Sequence, residues 1–278
     1  MRPEQATRPL FKEGCSHVLV PPELKRDCGH CHGLCCVLLY CSKSEGFPQD
    51  KPPGTPCIFL AADYRCSVHE RLAEKGLSGC MAFDCLGAGQ RLTRLLEEHG
   101  GEKFSGIANR LPHMMERHWL WWCLWQVWWI RPCAVLKDEA QALVKQFQAA
   151  DDEEEEAAAP MEAALNEAAR SLLARAAEMV CAAVGGRLGQ PGRDYAGRDL
   201  RGADLTGRDF RGAWLMGADL RGAGAYGANF MGADLRDTRL EDADLGSSLF
   251  LTPAQLQAAR GNTATKLPPF LEPPDHWR

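Results

Sequence analysis

The sequence predicts an α+β chain of several domains. A cysteine-rich, metal-binding N-terminal domain with helices is followed by a solenoid of five-residue units and a C-terminal helix. Three observations predict it. An apolar residue, usually Leu or Phe, returns at every fifth position from Tyr195 to Phe250. Eight cysteines between Cys28 and Cys85 have the spacing of metal ligands. Between these regions lie segments with apolar residues at helical spacing.

Length and charge bound the reading. A chain of 278 residues has room for two domains, and its formal charge of −5 gives no strong nucleic-acid signal. The N-terminus is polar, without the apolar stretch of a secretory signal. The longest apolar run, Trp119 to Ile130, is interrupted by Gln126 and is too short to span a bilayer. A cytoplasmic protein without a transmembrane segment is expected. Thirteen cysteines would suit a secreted disulfide scaffold, but CxxC followed by paired cysteines is a metal pattern.

The N-terminal domain is placed at residues 15–100. Its candidate ligands are Cys28, Cys31, Cys35, Cys36, Cys57, Cys66, Cys80 and Cys85. Thiolates separated by two residues can face one ion, which is why CxxC recurs in zinc and iron–sulfur sites. Sulfur ligands favour zinc, copper(I) or iron–sulfur over magnesium or calcium. Eight cysteines suffice for one full site with spare ligands, or for two sites. A segment poor in core residues gains folding energy from such a metal. His30, His32 and His69 are further candidate ligands. Cys15, Cys41, Cys123, Cys133 and Cys181 lack ligand spacing. The cluster resembles a family of zinc- or iron-chelating domains marked by CxxCxxCC, then Pro-Cys, then further cysteines. Cys28, Cys31, Cys35, Cys36, Cys57, Cys66 and Cys80 match that pattern. The resemblance implies bound Zn2+, or alternatively iron or an iron–sulfur cluster. One spacer here is three residues rather than two, which leaves the roles of Cys35 and Cys36 open.

The N-terminal domain closes on a helix over Leu86–Glu98, and a Trp-rich helical segment is placed at 101–150, with helices over Leu111–Ile130 and Ala134–Ala149. Trp121, Trp122, Trp125, Trp128 and Trp129 form a broad apolar stripe, either core or a face for a partner or membrane surface. His113, Glu116, Arg117 and His118 precede it without a partner motif. An acidic run opens a linker at 151–160. An alanine-rich helix at 161–186 ends at Gly185-Gly186.

The solenoid is placed at 192–251. Two residues before the apolar position usually stands alanine, one before it mostly Asp or Asn, and two after it glycine, unbroken from Gly197 to Gly232. The large and small apolar residues, two apart, point inward together, and the residues between and after them face water. Glycines let the backbone turn at corners. These residues resemble the pentapeptide-repeat family, with the motif legible in Ala203-Asp204-Leu205, Ala218-Asp219-Leu220 and Ala228-Asn229-Phe230. The resemblance implies a right-handed quadrilateral β-helix with four pentads per coil. Phe210, Phe230 and Phe250 lie twenty residues apart and would then stack as a ladder. Arg193, Arg198 and Arg208, in place of alanine, fall in the first coil, where an open end tolerates them. The Gly224-Ala225-Tyr226 pentad is the weak point. A C-terminal capping helix and tail are placed at 252–278, with Thr252 as cap, Pro253 first and Gln255 three after the cap. That tail resembles those of bacterial pentapeptide proteins.

Three functions compete. The first is a non-enzymatic scaffold, binding an unknown protein partner through the β-helix face or the Trp-rich helix. The second is an iron–sulfur or metal-dependent enzyme of redox or methyl-transfer chemistry, although no catalytic residue and no nucleotide-binding motif is readable. The third is a DNA mimic that protects topoisomerases. Against the third, the repeat carries ten acidic residues and eight arginines, a net of −2.

Overall fold

The computed structural model describes residues 10–12, 20–98, 104–150, 155–186 and 192–277, with 104–109 and 155–161 described as backbone. Its main helices are α1 (Leu34–Leu38), α2 (Ser78–Ala82), α3 (Ala88–Glu98), α4 (Phe104–Val127), α5 (Lys137–Ala150), α6 (Glu155–Val184) and α7 (Pro253–Ala258). The chain forms two compact units. One gathers the described residues of Met1–Leu19, Trp122–Lys145 and Glu167–Arg278, and the other those of Val20–Trp121 and Gln146–Asn166. Cys15 and Asp151–Glu154 lie outside the described residues.

In the second of these units, short 3-10 turns and loops carry the cysteines, and α3 supplies the core. Leu92, Leu95 and Leu96 of α3 pack with Leu34, Leu111 and Met114. The predicted helix over Leu111–Ile130 begins seven residues earlier, at Phe104, and contains Pro112. His118 is buried, and its Nδ1–H donates to the Leu86 carbonyl at 2.7 Å. Arg117 pairs with Glu162 at 2.7 Å, so this residue and His118 hold structure together.

The other unit contains the repeats. Backbone bridges are parallel and offset by twenty residues in every pair from Asp194↔Trp214 to Asn229↔Leu249. Twenty residues are four pentads, one coil. Each side contributes a single bridging residue, so the ladder is a column of short contacts. It passes through the weak pentad intact, since Gly224 bridges both Asp204 and Asp244. Phe210 and Phe230 stack at 5.2 Å, and Phe250 is buried but takes φ 59°, where the chain turns off.

The sequence gives no hint that the ladder continues beyond 251. Arg239 bridges Arg260 and Asp244 bridges Lys266, at offsets of 21 and 22. Helix α7 is therefore carried within a further partial coil. The Thr252 hydroxyl and the Gln255 side chain form a capping box, and Gln255 Nε2 also donates to the Phe230 and Ala233 carbonyls. The aspartates do more than face water. Each accepts the backbone N–H two residues on, as Asp194, Asp204 and Asp234 show, and so sets its corner. Asp209 and Asn229 are buried, and Asn229 Nδ2 donates to Asp209 Oδ1. Thr238 and Ser248 stand at alanine positions and donate to the Leu215 and Ala225 carbonyls.

Helix α6 begins at Glu155, so residues 155–160 of the linker placed at 151–160 are helical. Glutamates at a helix start and three consecutive alanines favour that state. Its far end is a Schellman motif: Gly186 N–H donates to Cys181 O and Gly185 N–H to Ala182 O. That end reaches the repeats, where a Cβ at Gly207 would lie 2.7 Å from Gly186 Cα. Within this unit Trp122 and Trp125 of the Trp stripe are core, whereas Trp128 and Trp129 are half-buried. Trp122 and Trp125 are 2% exposed, both pack edge-on against Phe270, and Trp122 Nε1 donates to Leu251 O.

Candidate metal centre

The eight predicted cysteines line one cavity of about 1100 Å³ within the unit of Val20–Trp121 and Gln146–Asn166. The twelve described cysteines are all free thiols. Local structure explains how residues so far apart in sequence meet. Cys28 opens a 3-10 turn whose cap, Asp27, accepts from Gly29 N–H, and Cys31 ends it. Three bonds strap this stretch to α3: Asp27 N–H to Gln90 Oε1, Gln90 Nε2 to Lys25 O, and His32 N–H to Thr93 Oγ1. Cys85 lies three residues before the first residue of α3, and between them Gly87 brings the backbone against the Glu23 carbonyl too closely for any side chain. A Cβ at Gly89 would lie 3.0 Å from Cys31 Sγ and 3.6 Å from Cys85 Sγ, so these sulfurs are near neighbours. Gly87 and Gly89, too short a motif to read in sequence, thus shape the cavity wall.

Cys35 and Cys36 are consecutive residues of α1, their sulfurs 3.9 Å apart. The Cys57 N–H donates to Cys36 O at 2.9 Å. From Cys57 the chain enters a small hairpin in which Leu60 bridges Cys66, and Tyr64 turns it with φ 64°. Cys80 arrives on α2, whose Gly79 N–H donates to Gly46 O. Burial pushes the thiols of Cys28 up to about 11 and Cys80 up to about 12. Cys57 and Cys85 are also raised by burial. Cys36 goes the other way, down to about 7, through the hydrogen bond from Cys35 and the Lys51 ammonium. The same hydrogen bond raises Cys35.

Lys51 is the residue that sequence reasoning missed. It is 2% exposed, and its Nζ donates to the Val37 and Leu39 carbonyls at the end of α1. A lysine in a Pro-rich loop carried no signal of burial. Cys41 also lines the cavity, at the bridge to Lys51. Among the histidines, His69 lines the cavity. His30 instead pairs with Asp27 at 2.7 Å, and His32 stacks on Tyr64 and meets Glu97 at 3.2 Å.

Among the described residues, no three His, Cys, Asp or Glu side chains converge on one point. The thiols surround the cavity in a looser arrangement than a metal needs, since Zn–S bonds are about 2.3 Å. The donor set nevertheless fits a soft metal in its chemistry: the thiols are reduced, several, mostly half-buried, and line one cavity.

Comparison with known proteins bears on the other unit. A family model described as pentapeptide repeats matches residues 199–237 and 215–250, in eight copies. The C-terminal region carries pentapeptide repeats, and the twenty-residue ladder is that of a β-helix solenoid. The chain is 41% identical over 107 residues to YybG, an uncharacterized protein of Bacillus subtilis, a match covering 37% of this chain. It spans 38% of that relative's length. Among solved structures, a pentapeptide repeat protein from the cyanobacterium Cyanothece 51142 matches 27% of this chain and 53% of its own, at 24% identity and TM-score 0.18. Another, from the Arabidopsis thaliana thylakoid lumen, matches 20% of this chain and 46% of its own, at 28% identity and TM-score 0.12. Among the described residues, no helix is long and apolar enough to cross a membrane.

Proposed function

We propose that this is a metal-binding pentapeptide-repeat protein acting as a non-enzymatic, cytoplasmic interaction scaffold. The observation that carries the metal reading is the gathering of Cys28, Cys31, Cys35, Cys36, Cys57, Cys66, Cys80 and Cys85 around one cavity as free thiols. Bound there, Zn2+ supplies cross-links between loops that α3 alone does not fasten, and so adds folding free energy. The chain's own part is to present thiolates, to shield them from water, and to keep Lys51 beside Cys36 to offset their charge. The repeat region supplies a regular face for a protein partner. Its Asp199, Asp209, Asp219 and Asp234 carboxylates each pair with an arginine two residues on. Such internal neutralisation favours a scaffold over a mimic of polyanionic DNA.

The test is metal content with an absorption spectrum, on protein purified without air and again for Cys31→Ser. Stoichiometric zinc without visible absorption, reduced in the variant, supports the reading. A brown protein with iron and sulfide would favour the iron–sulfur redox alternative. Metal-free protein that folds normally refutes metal binding. Gyrase inhibited by an excess of the protein would revive the DNA-mimic reading.

A further inference from the structure

We propose that the cavity holds two four-thiolate metal sites, one formed by Cys28, Cys31, Cys35 and Cys85 and the other by Cys36, Cys57, Cys66 and Cys80. The inference rests on the metal-binding reading above and assigns its ligands. Its pivot is the adjacent pair Cys35-Cys36 on α1. Consecutive residues on a helix leave it about 100° apart, so they do not face the same way. One chain position therefore serves each side of the cavity.

The remaining six cysteines divide with them. On the first side, Cys28 and Cys31 sit on the turn that Gln90 and Thr93 strap to α3, and Cys85 lies in the loop that leads into α3. The Cys31 and Cys85 sulfurs both border Gly89, and both residues pack against the α3 core. On the second side, Cys57 is joined to Cys36 through its backbone, and its hairpin delivers Cys66. Cys80, on α2, lines the same cavity and completes this set. Each set numbers four, the count a closed tetrahedral zinc site requires. Acidic and imidazole donors are not needed to complete either.

The rival arrangement is one site using both Cys35 and Cys36. Their 3.9 Å separation is close to the edge of a ZnS4 tetrahedron, roughly 3.8 Å for Zn–S bonds of 2.3 Å. That arrangement leaves four of the eight candidate cysteines without a role. In the two-site arrangement the same short distance makes Cys35 and Cys36 the seam between neighbouring ions.

The experiment uses the full chain, purified without air and loaded with zinc. Two zinc ions per chain are expected, with the eight named cysteines shielded from alkylation until a chelator is added, as read by peptide mass spectrometry. Cobalt(II) titration of the same wild-type protein should give thiolate charge-transfer bands that rise to two equivalents. Cys35→Ser should keep one zinc and shield only Cys36, Cys57, Cys66 and Cys80. Cys36→Ser should keep one zinc and shield only Cys28, Cys31, Cys35 and Cys85. One zinc in the wild type, with Cys35 and Cys36 shielded together, overturns the division while leaving metal binding intact. No bound metal overturns both. The wild-type measurements decide the matter even where a variant fails to fold.

Discussion

The approach of α6 to the repeats can be tested by adding single methyl groups. Gly207 and Gly212 both stand at pentad corners in the left-handed region, with φ 63° and 58°. A Cβ at Gly212 meets nothing within 4 Å, whereas at Gly207 it lies 2.7 Å from Gly186 Cα and 3.0 Å from Val184 Cγ2. Alanine at either position carries the left-handed cost of roughly 1–2 kcal/mol. At Gly207 it also drives backbone against backbone, and overpacking of that kind adds about 1–3 kcal/mol. Gly212→Ala should thus lose about 1–2 kcal/mol and Gly207→Ala about 2–5 kcal/mol. Gly227 is intermediate: its Cβ would meet only the methyl carbons of Val180 and Val184, at 3.1 to 3.3 Å. Adding Val184→Ala should recover part of the Gly227→Ala loss, a coupling of about 0.5 kcal/mol or more. Urea unfolding followed by far-ultraviolet circular dichroism measures all of these, compared at equal slope. If Gly207→Ala is no worse than Gly212→Ala, the packing of α6 on this side of the coil is wrong.

Three further outcomes are expected. Phe230→Ala removes a fully buried ring from the stack with Phe210 and should cost about 3–5 kcal/mol, more than Tyr195→Ala in the open first coil; equal losses in urea unfolding would contradict the ladder. Thr252→Ala breaks the capping box of α7 and should cost about 1 kcal/mol, seen as faster amide exchange at Gln255. In metal-free protein, Cys36 should be alkylated by iodoacetamide with a midpoint near pH 7, while Cys28 and Cys80, raised to about 11 and 12, stay slow. Below the midpoint Cys36 is protonated and unreactive; Lys51→Met should move the midpoint upward, and a Cys36 rate that rises only near pH 9 would refute the assignment.

What the sequence made legible was whatever repeats or pairs at short range. A five-residue period states its own geometry, so the coil length and the phenylalanine stack follow from counting. The capping box at Thr252 and the stop at Gly185-Gly186 are equally local, each written in four residues or fewer. Long-range events were hidden. Nothing near Arg260 or Lys266 matches the pentad, because their place on the ladder comes from pairing with Arg239 and Asp244. Lys51 reads as a surface lysine until the end of α1 supplies its two carbonyl acceptors. Helix α4 starts seven residues before the predicted Leu111, so Pro112 lies well inside it rather than in the first turn, where proline is most at home. The cysteines fall between these cases: their spacing announced a ligand set, but only the three-dimensional path of α1, α3 and the Cys57 hairpin suggests a division into two.

The bonds from Trp122 and Gln126 to the last full coil bear on how the chain is born. Within the repeats, each contact joins residues only twenty apart, so coils can close one after another as they are made. Trp122 Nε1, by contrast, waits for Leu251, which lies 129 residues later in the sequence. At a synthesis rate of about 5–20 residues per second, that wait is roughly 6 to 25 seconds. For that interval the nascent chain shows Trp122 and Trp125 to the ribosome's surroundings, with their eventual covering, Phe270 among it, not yet translated. Synthesis order thus leaves these two tryptophans without their final covering until the repeats have been made.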